Sequence, residues 1–278
     1  MKGVITFDID GTLTHRLDWI DPKVVKALAQ LGDRGWHVAL LTGRIYSFAD
    51  KILQNFSFPY FLSVQNGADV LTMPGNRHLK RSYLKPDILP VIEEAYAGST
   101  EDFIIYAGID HGDFCYYRPE RFSSKMEPYL KKLESLGAAK WQPSDFVFDQ
   151  NFQFPLIKCF GDEATMRRVH DTLALNPLVE VSMIRDPIDP ALFLTLVTHP
   201  EANKGSVAAY LREHLHCPVL IAAGDDRNDI KMLKEADIAI AIQTAPEDVL
   251  SVADIHAAPA DELGILAAIE EAISRASS

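Results

Sequence analysis

Residues 3–12 read Gly3-Val4-Ile5-Thr6-Phe7-Asp8-Ile9-Asp10-Gly11-Thr12. The run Gly3 to Phe7 is apolar without the polar alternation of a half-exposed strand, which predicts a strand buried on both faces of a parallel sheet. It stops at two acids that flank one isoleucine. Residues two apart in extended chain point the same way, so Asp8 and Asp10 face one site while Ile9 turns into the core. Neighbouring carboxylates repel, and one tends to stay protonated unless a cation joins them. A hard, oxygen-seeking Mg²⁺ answers that need. Gly11 permits a tight turn whose backbone N–H groups suit phosphate. Alone, an Asp-x-Asp reads better as a turn closing a strand. The Gly-Thr that follows, and the clusters below, decide against that reading.

Working outward, Asp21 to Arg34 has helical periodicity, with Val24, Val25, Leu28 and Leu31 on one face and Asp21-Pro22 as N-cap and first turn. Val38 to Leu41 predicts a second buried strand, Ile45 to Asn55 a helix, and Phe61 to Val64 a third strand. Strand–helix alternation of this kind is the pattern of a Rossmann-like, doubly wound α/β sheet. A hairpin is expected from Ala68–Thr72 and Arg77–Ser82 around Pro74-Gly75-Asn76. The rhythm then changes. Aromatic strand candidates (Phe103–Ile109, Phe114–Arg118, Phe154–Phe160) alternate with helical stretches (Ser123–Leu136, Glu163–Leu175), as in an α+β unit. Near Asn203 the first rhythm resumes, with a strand at Val219–Ala223 and a closing helix at Asp261–Ser274. The simplest division is a core from residues 1–84 and 191–278, interrupted by an inserted α+β cap at residues 85–190.

Open α/β sheets bind ligands at the carboxyl ends of their strands. Polar clusters fall at such places here. Thr42-Gly43-Arg44 follows the second strand: the Thr42 hydroxyl suits a phosphoryl oxygen and Arg44 is within reach of substrate, although Thr also makes a good helix N-cap. Asn203-Lys204-Gly205-Ser206 opens a helix, where a lysine can neutralise phosphate beside the positive helix end. By itself Lys204 would read as a solvated surface lysine. Gly224-Asp225-Asp226-Arg227-Asn228-Asp229 follows Val219–Ala223. So many acids in one turn are costly unless they cap a helix or bind a cation. Asp225 is the expected direct metal ligand there, with Asn228 and Asp229 acting through water or orienting Lys204.

The chain has 278 residues, with 47% hydrophobic and 24% charged, enough for a sizeable core. Its formal net charge of -12 argues against a general nucleic-acid-binding surface. It does not argue against a small anion in a locally positive pocket. Cys115, Cys159 and Cys217 are far apart and form no metal-type pair, so thiols in a reducing compartment are expected. No apolar leader follows Met1 and no apolar run approaches the ~18 residues of a membrane span. The expected location is the cytoplasm.

Taken in order and spacing, Asp8-Ile9-Asp10-Gly11-Thr12, Thr42, Lys204 and Gly224-Asp225-Asp226-Arg227-Asn228-Asp229 resemble the motifs of the haloacid-dehalogenase superfamily of phosphatases. The inserted block looks like a type IIB cap, as in Cof-like sugar phosphatases, and Asn66-Gly67-Ala68 matches that subfamily too. The resemblance implies that Asp8 attacks phosphorus to form an aspartyl phosphate, and that Asp10 protonates the leaving oxygen and then takes a proton from water. It implies that Mg²⁺ is held by the Asp8 side chain, the Asp10 carbonyl and Asp225, and that Thr42 and Lys204 hold the phosphoryl group. Gly11, Arg44, Asn66, Asn228 and Asp229 would support that site, and the cap would choose the leaving group. Candidate cap contacts are Asp110, His111, Arg118, Asp149, Asn151 and Arg185, each of which also reads as an ordinary surface or structural residue. The expected activity is Mg²⁺-dependent hydrolysis of small-metabolite phosphate monoesters, with sugar phosphates favoured. Alternatives are a sugar phosphomutase and a non-catalytic protein that binds phosphorylated metabolites.

Overall fold

The structure is a computed structural model and describes residues 1–136, 139–186 and 188–277. In chain order its elements begin with β1 (Gly3–Phe7), α1 (Pro22–Asp33), β2 (Trp36–Leu41), α2 (Tyr46–Leu53), β3 (Tyr60–Val64), β4 (Asp69–Met73) and β5 (Arg77–Arg81). Next come α3 (Leu89–Tyr96), β6 (Phe103–Tyr106), β7 (Cys115–Tyr117), α4 (Glu127–Leu136), β8 (Gln142–Pro143), β9 (Leu156–Gly161), α5 (Glu163–Leu173), β10 (Glu180–Arg185) and β11 (Phe193–Thr198). The chain ends with α6 (Lys204–His214), β12 (Val219–Gly224), α7 (Ile230–Glu235), β13 (Ile238–Ile242), α8 (Glu247–Leu250), β14 (Ile255–Ala257) and α9 (Ile265–Ala276).

These elements form two compact units. The first comprises residues 1–44, 49–81 and 203–278, and the second residues 45–48 and 82–202. The first contains a sheet of order β14-β13-β12-β1-β2-β3-β4-β5. Strands β14 to β3 in that order are parallel, and β4 and β5 close one edge as an antiparallel hairpin. Every residue of β1 is buried, as its unbroken apolar run predicts. Val207, Ala208 and Leu211 of α6 and Met232 and Leu233 of α7 share one core with Val4, Ala39, Leu220 and Ala222. Helix α1 packs against β2, and α9 against β13 and β14. The start of α1 is as the sequence predicts: the Asp21 side chain accepts from the Lys23 N–H at 2.8 Å and Pro22 fills the first turn.

The second unit is an α+β layer on a sheet of order β10-β11-β9-β6-β7-β8. Its buried residues separate by strand alternation. Phe103, Ile105, Ile157 and Cys159 pack with Ile92 of α3 and with Met166 and Val169 of α5. Ile104, Tyr106, Cys115 and Phe160 pack with Met126, Tyr129 and Leu130. The unit extends beyond residue 190, where the sequence rhythm places its end. The reason is β11, which pairs antiparallel with both β9 and β10 and so keeps the chain in this sheet through Thr198. At the other boundary Leu84 and Phe154 exchange backbone hydrogen bonds of 2.9 and 3.1 Å. Among the described residues, no helix is long and apolar enough to cross a membrane.

Candidate active site

The site is assembled at the carboxyl ends of β1, β2, β3 and β12 and the start of α6, all within the first unit. The Asp8 N–H donates to the Ala223 carbonyl at 2.9 Å, continuing the β1–β12 ladder one step beyond the strand. Asp8 therefore lies beside Asp225 although the two are far apart in sequence. Ile9 is fully buried, as the two-residue alternation requires. The chain then turns sharply: Gly11 donates to the Thr14 carbonyl at 2.7 Å, and Leu13 and Thr14 donate to the Ile9 carbonyl. Gly11 has φ +83°, and a Cβ there would stand 2.0 Å from Asp225 Oδ2. Glycine is required at that position both by conformation and by the approach of the carboxylate.

Asp8, Asp225 and Asp229 each offer an oxygen within 4.8 Å of the other two. Lys204 lies among them, only 2% exposed. Its ammonium donates to Asp8 Oδ1 and, at 2.6 Å, to Asp229 Oδ1. The other Asp229 oxygen accepts the backbone N–H groups of Asp225 and Asp226 at 3.0 and 3.1 Å. Asp229 thus ties the loop after β12 to the lysine and fixes its ammonium. Thr12 Oγ1 donates to Asp225 Oδ1 at 3.1 Å and orients that carboxylate.

The electrostatics follow from two buried acids, Asp8 and Asp229, and a half-buried one, Asp225, around one buried cation. Burial pushes the Asp8 carboxyl well above the usual range. Lys204 opposes this, while Asp229 and Asp225 add to it. Burial, then Asp229, raises Asp225 to about 6, against the pull of the Thr12 hydrogen bond and Lys204. For Lys204, burial favours the neutral amine, but Asp229 and Asp8 more than offset it and hold the ammonium charged. The cluster is short of positive charge. Its donors are all carboxylate oxygens, the set a hard divalent cation takes. The residues present therefore fit such an ion.

The carboxylate of Asp10 is not in this group. It is gripped by Arg44, with Nε donating to Oδ2 at 2.8 Å and Nη2 to Oδ1. The part of Asp10 that the resemblance assigns to the metal is its carbonyl, not this side chain. Arg44, expected within reach of substrate, also donates through Nη1 to the Leu17 carbonyl at 2.8 Å. Thr42 is not the N-cap of α2, which begins at Tyr46. Its Oγ1 accepts the Arg44 N–H at 3.1 Å, leaving its hydroxyl proton to donate elsewhere. Asn66 adopts φ +58° and donates its N–H to the Thr42 carbonyl at 2.9 Å. Its side-chain Oδ1 accepts from Asn228 Nδ2 at 3.2 Å, joining the β3 loop to the loop after β12. Thr12 and the Leu17 carbonyl were not among the expected site groups. Thr12 carries one signal, a hydroxyl inside the acidic turn, whereas a backbone carbonyl at Leu17 carries none.

Among the candidates in the second unit, Arg118 is buried and structural. Its fork donates to Asp102 at 2.7 Å through both Nε and Nη2, and Nη1 donates to Glu93. The guanidinium stacks 4.3 Å from the Phe146 ring centroid. Asp149 caps its own turn by accepting from the Asn151 N–H at 2.8 Å, and Arg185 lies over Phe193.

Residues 5–269 match the family described as haloacid dehalogenase-like hydrolase. Phosphatase YwpJ of Bacillus subtilis is 25% identical over 293 residues, covering 94% of this chain and 96% of that protein. Phosphoglycolate phosphatase of Methanoculleus marisnigri is 24% identical over 269 residues, covering 91% and 89%. HMP-PP phosphatase of Klebsiella pneumoniae is 23% identical over 239 residues, covering 84% and 81%. In fold, the chain resembles a haloacid dehalogenase-like hydrolase from Bacteroides thetaiotaomicron, with a TM-score of 0.76 at 23% identity, over 98% of this chain and 99% of the other.

Proposed function

The chain belongs to the haloacid dehalogenase-like hydrolase family, and from that premise we propose that it is a phosphatase acting on phosphate monoesters of small metabolites through an aspartyl phosphate on Asp8. The observation that carries this reading is the buried Asp8–Lys204–Asp229 line with Asp225 beside it. A carboxylate held by a fixed ammonium, with Asp225 close beside it, suits a nucleophile that works beside a divalent cation.

Asp8 attacks phosphorus as the ester oxygen leaves. Asp10 gives that oxygen a proton and afterwards takes one from the attacking water, help worth roughly 10²–10⁴-fold. The Thr42 hydroxyl and the Lys204 ammonium hold phosphoryl oxygens as negative charge spreads over them. Asp8 and Asp225 would hold the ion, with the Asp10 carbonyl as a third donor. Asp229 keeps Lys204 in place, and Asn66 with Asn228 braces the two loops. When bound, the divalent cation, which we take to be Mg²⁺, supplies the positive charge that lets an ionised Asp8 meet a dianionic ester.

The substrate class rests on relatives named for small phosphorylated metabolites. Sugar phosphates are the first members to try, from the resemblance of the inserted unit to caps of sugar phosphatases. Three buried free thiols, Cys115, Cys159 and Cys217, support a cytoplasmic location. The test is phosphate release from a panel of phosphorylated metabolites, with and without Mg²⁺, by wild type and Asp8→Asn. Release that needs both Mg²⁺ and Asp8 is expected. Isomerised sugar phosphate without free phosphate would make the protein a mutase instead.

A further inference from the structure

Arg44 has no role in gripping phosphate in the reading above, yet it is one of the most firmly held side chains of the site. Its backbone N–H donates to Thr42 Oγ1 at 3.1 Å and its carbonyl accepts from the Gln65 N–H at 2.8 Å. Its side chain is 5% exposed and forks onto both oxygens of Asp10, whose own side chain is 40% exposed. Nη1 is anchored to the Leu17 carbonyl at 2.8 Å. The guanidinium thus backs the acid from the buried side, while the open edge of the carboxylate is turned outward.

A carboxylate offers about four lone-pair sites. A bidentate guanidinium occupies one on each oxygen and stops rotation about the Cβ–Cγ bond. The two remaining sites then point in fixed directions on the exposed edge. That is what a proton donor to a leaving oxygen needs: the carboxyl proton must lie on the line to that oxygen as the P–O bond breaks and its electron pair moves onto the oxygen.

We propose that Arg44 is a positioning residue for this reaction: by forking onto Asp10 it aims the acid's free edge at the leaving oxygen, and it acts through Asp10 rather than on the phosphoryl group. The proposal rests on the phosphatase reading given above. It separates from a phosphate-gripping role because leaving groups differ in their need for a proton. The alkoxide of a sugar phosphate needs one, whereas dinitrophenolate does not.

The experiment compares kcat/KM for an alkyl monoester that the wild type hydrolyses and for 2,4-dinitrophenyl phosphate. It uses wild type, Arg44→Gln, Arg44→Lys, Asp10→Asn and the double variant Asp10→Asn/Arg44→Gln, each with Mg²⁺. Arg44→Gln is expected to lose about 10²-fold or more on the alkyl ester and less than about threefold on the dinitrophenyl ester. Arg44→Lys, which keeps the charge but cannot fork, should show the same selective loss in weaker form. The double variant should lose no more than Asp10→Asn alone, because one pathway is removed once. Equal losses on both esters, or additive losses in the double variant, would overturn the proposal. Should Arg44→Gln not fold, Arg44→Lys decides by the same ratio. If wild type releases no more phosphate from either ester than Asp8→Asn measured alongside it, the phosphatase reading itself fails and the proposal with it.

Discussion

Each unit of the molecule buries a group of charges, and the two groups differ in whether they are complete. In the second unit Arg118 meets Asp102 through a two-pronged fork, adds Glu93, and lies against the rings of Phe103 and Phe146. Each of the three guanidinium nitrogens has a carboxylate acceptor and the cation has a face to rest on. In the first unit three acids, Asp8, Asp225 and Asp229, share the single ammonium of Lys204, and two of them are held toward protonation. A complete buried group holds one geometry and is costly to break by halves. An incomplete one costs stability and persists where a ligand completes it. Burial alone does not separate the two cases, since Lys204 and Arg118 are both buried.

The largest test of this contrast is Asp8→Asn. Removing one acid from the incomplete group should lower phosphate release by on the order of 10⁴–10⁶-fold, as loss of a covalent nucleophile does elsewhere. The same change should leave stability in metal-free buffer equal or higher, because it relieves a buried and crowded carboxylate. Steady-state kinetics and urea unfolding on one preparation check both halves. A large loss of stability would mean that Asp8 belongs to a structural ion pair with Lys204.

Arg118→Met should do the reverse in the second unit. Deleting the cation strands Asp102, which is almost fully buried, and costs about 3–5 kcal/mol. Turnover per folded molecule should change little. Replacing Asp102 as well, by Leu, should recover much of that cost, since an empty pair is cheaper than half a pair. If the double variant stays as unstable as the single one, the stacking of Arg118 on Phe103 and Phe146 matters more than its charge.

The contrast also separates what could be read in the sequence from what could not. The incomplete group was legible because its members sit in short runs with fixed spacing. Asp8 and Asp10 flank a buried isoleucine, and Asp225 and Asp229 lie one turn apart after a strand. Chemistry that needs several acids together must break the apolar pattern at strand ends, and that break shows in a single sequence. The complete group was not legible as such. Arg118 read as a possible cap contact, and nothing near it in sequence names Asp102 or Glu93 as partners. The same holds for the fork from Arg44 to Asp10 and the Thr12 bond to Asp225, which depend on how separate loops meet in space. The strand β11 was missed as part of the second sheet because Phe193–Thr198 is equally apolar whichever sheet it joins, and only its pairing with β9 and β10 decides.

A divalent cation should complete the first group and leave the second untouched. At about 100 times its dissociation constant, Mg²⁺ should add ~2.7 kcal/mol to the stability of the folded chain, seen as a rise in Tm. Asp225→Ala should remove most of that rise, and Arg118→Met should keep it on top of its lower baseline. A rise that survives Asp225→Ala would move the ion away from this cluster.

The smallest expected effect concerns the second unit's own incomplete acid. Asp113 is 4% exposed and accepts the Ser47 N–H at 2.7 Å through Oδ2, while its Oδ1 has no hydrogen-bond partner among the described residues. Burial raises its carboxyl, against the pull of the Ser47 hydrogen bond. A carboxyl whose value is higher folded than unfolded contributes most below the unfolded value and loses that contribution as pH rises through the folded one. Asn can adopt the same backbone, φ +60°, and cannot ionise. Asp113→Asn should therefore gain stability relative to wild type as pH goes from about 3 to 7, starting above the acid limit near the usual Asp value of ~3.9. Urea midpoints of both proteins across that range measure it. A flat difference would mean that the ionised Asp113 is as well satisfied as Asp102, and that completeness of pairing does not distinguish the acids within this unit.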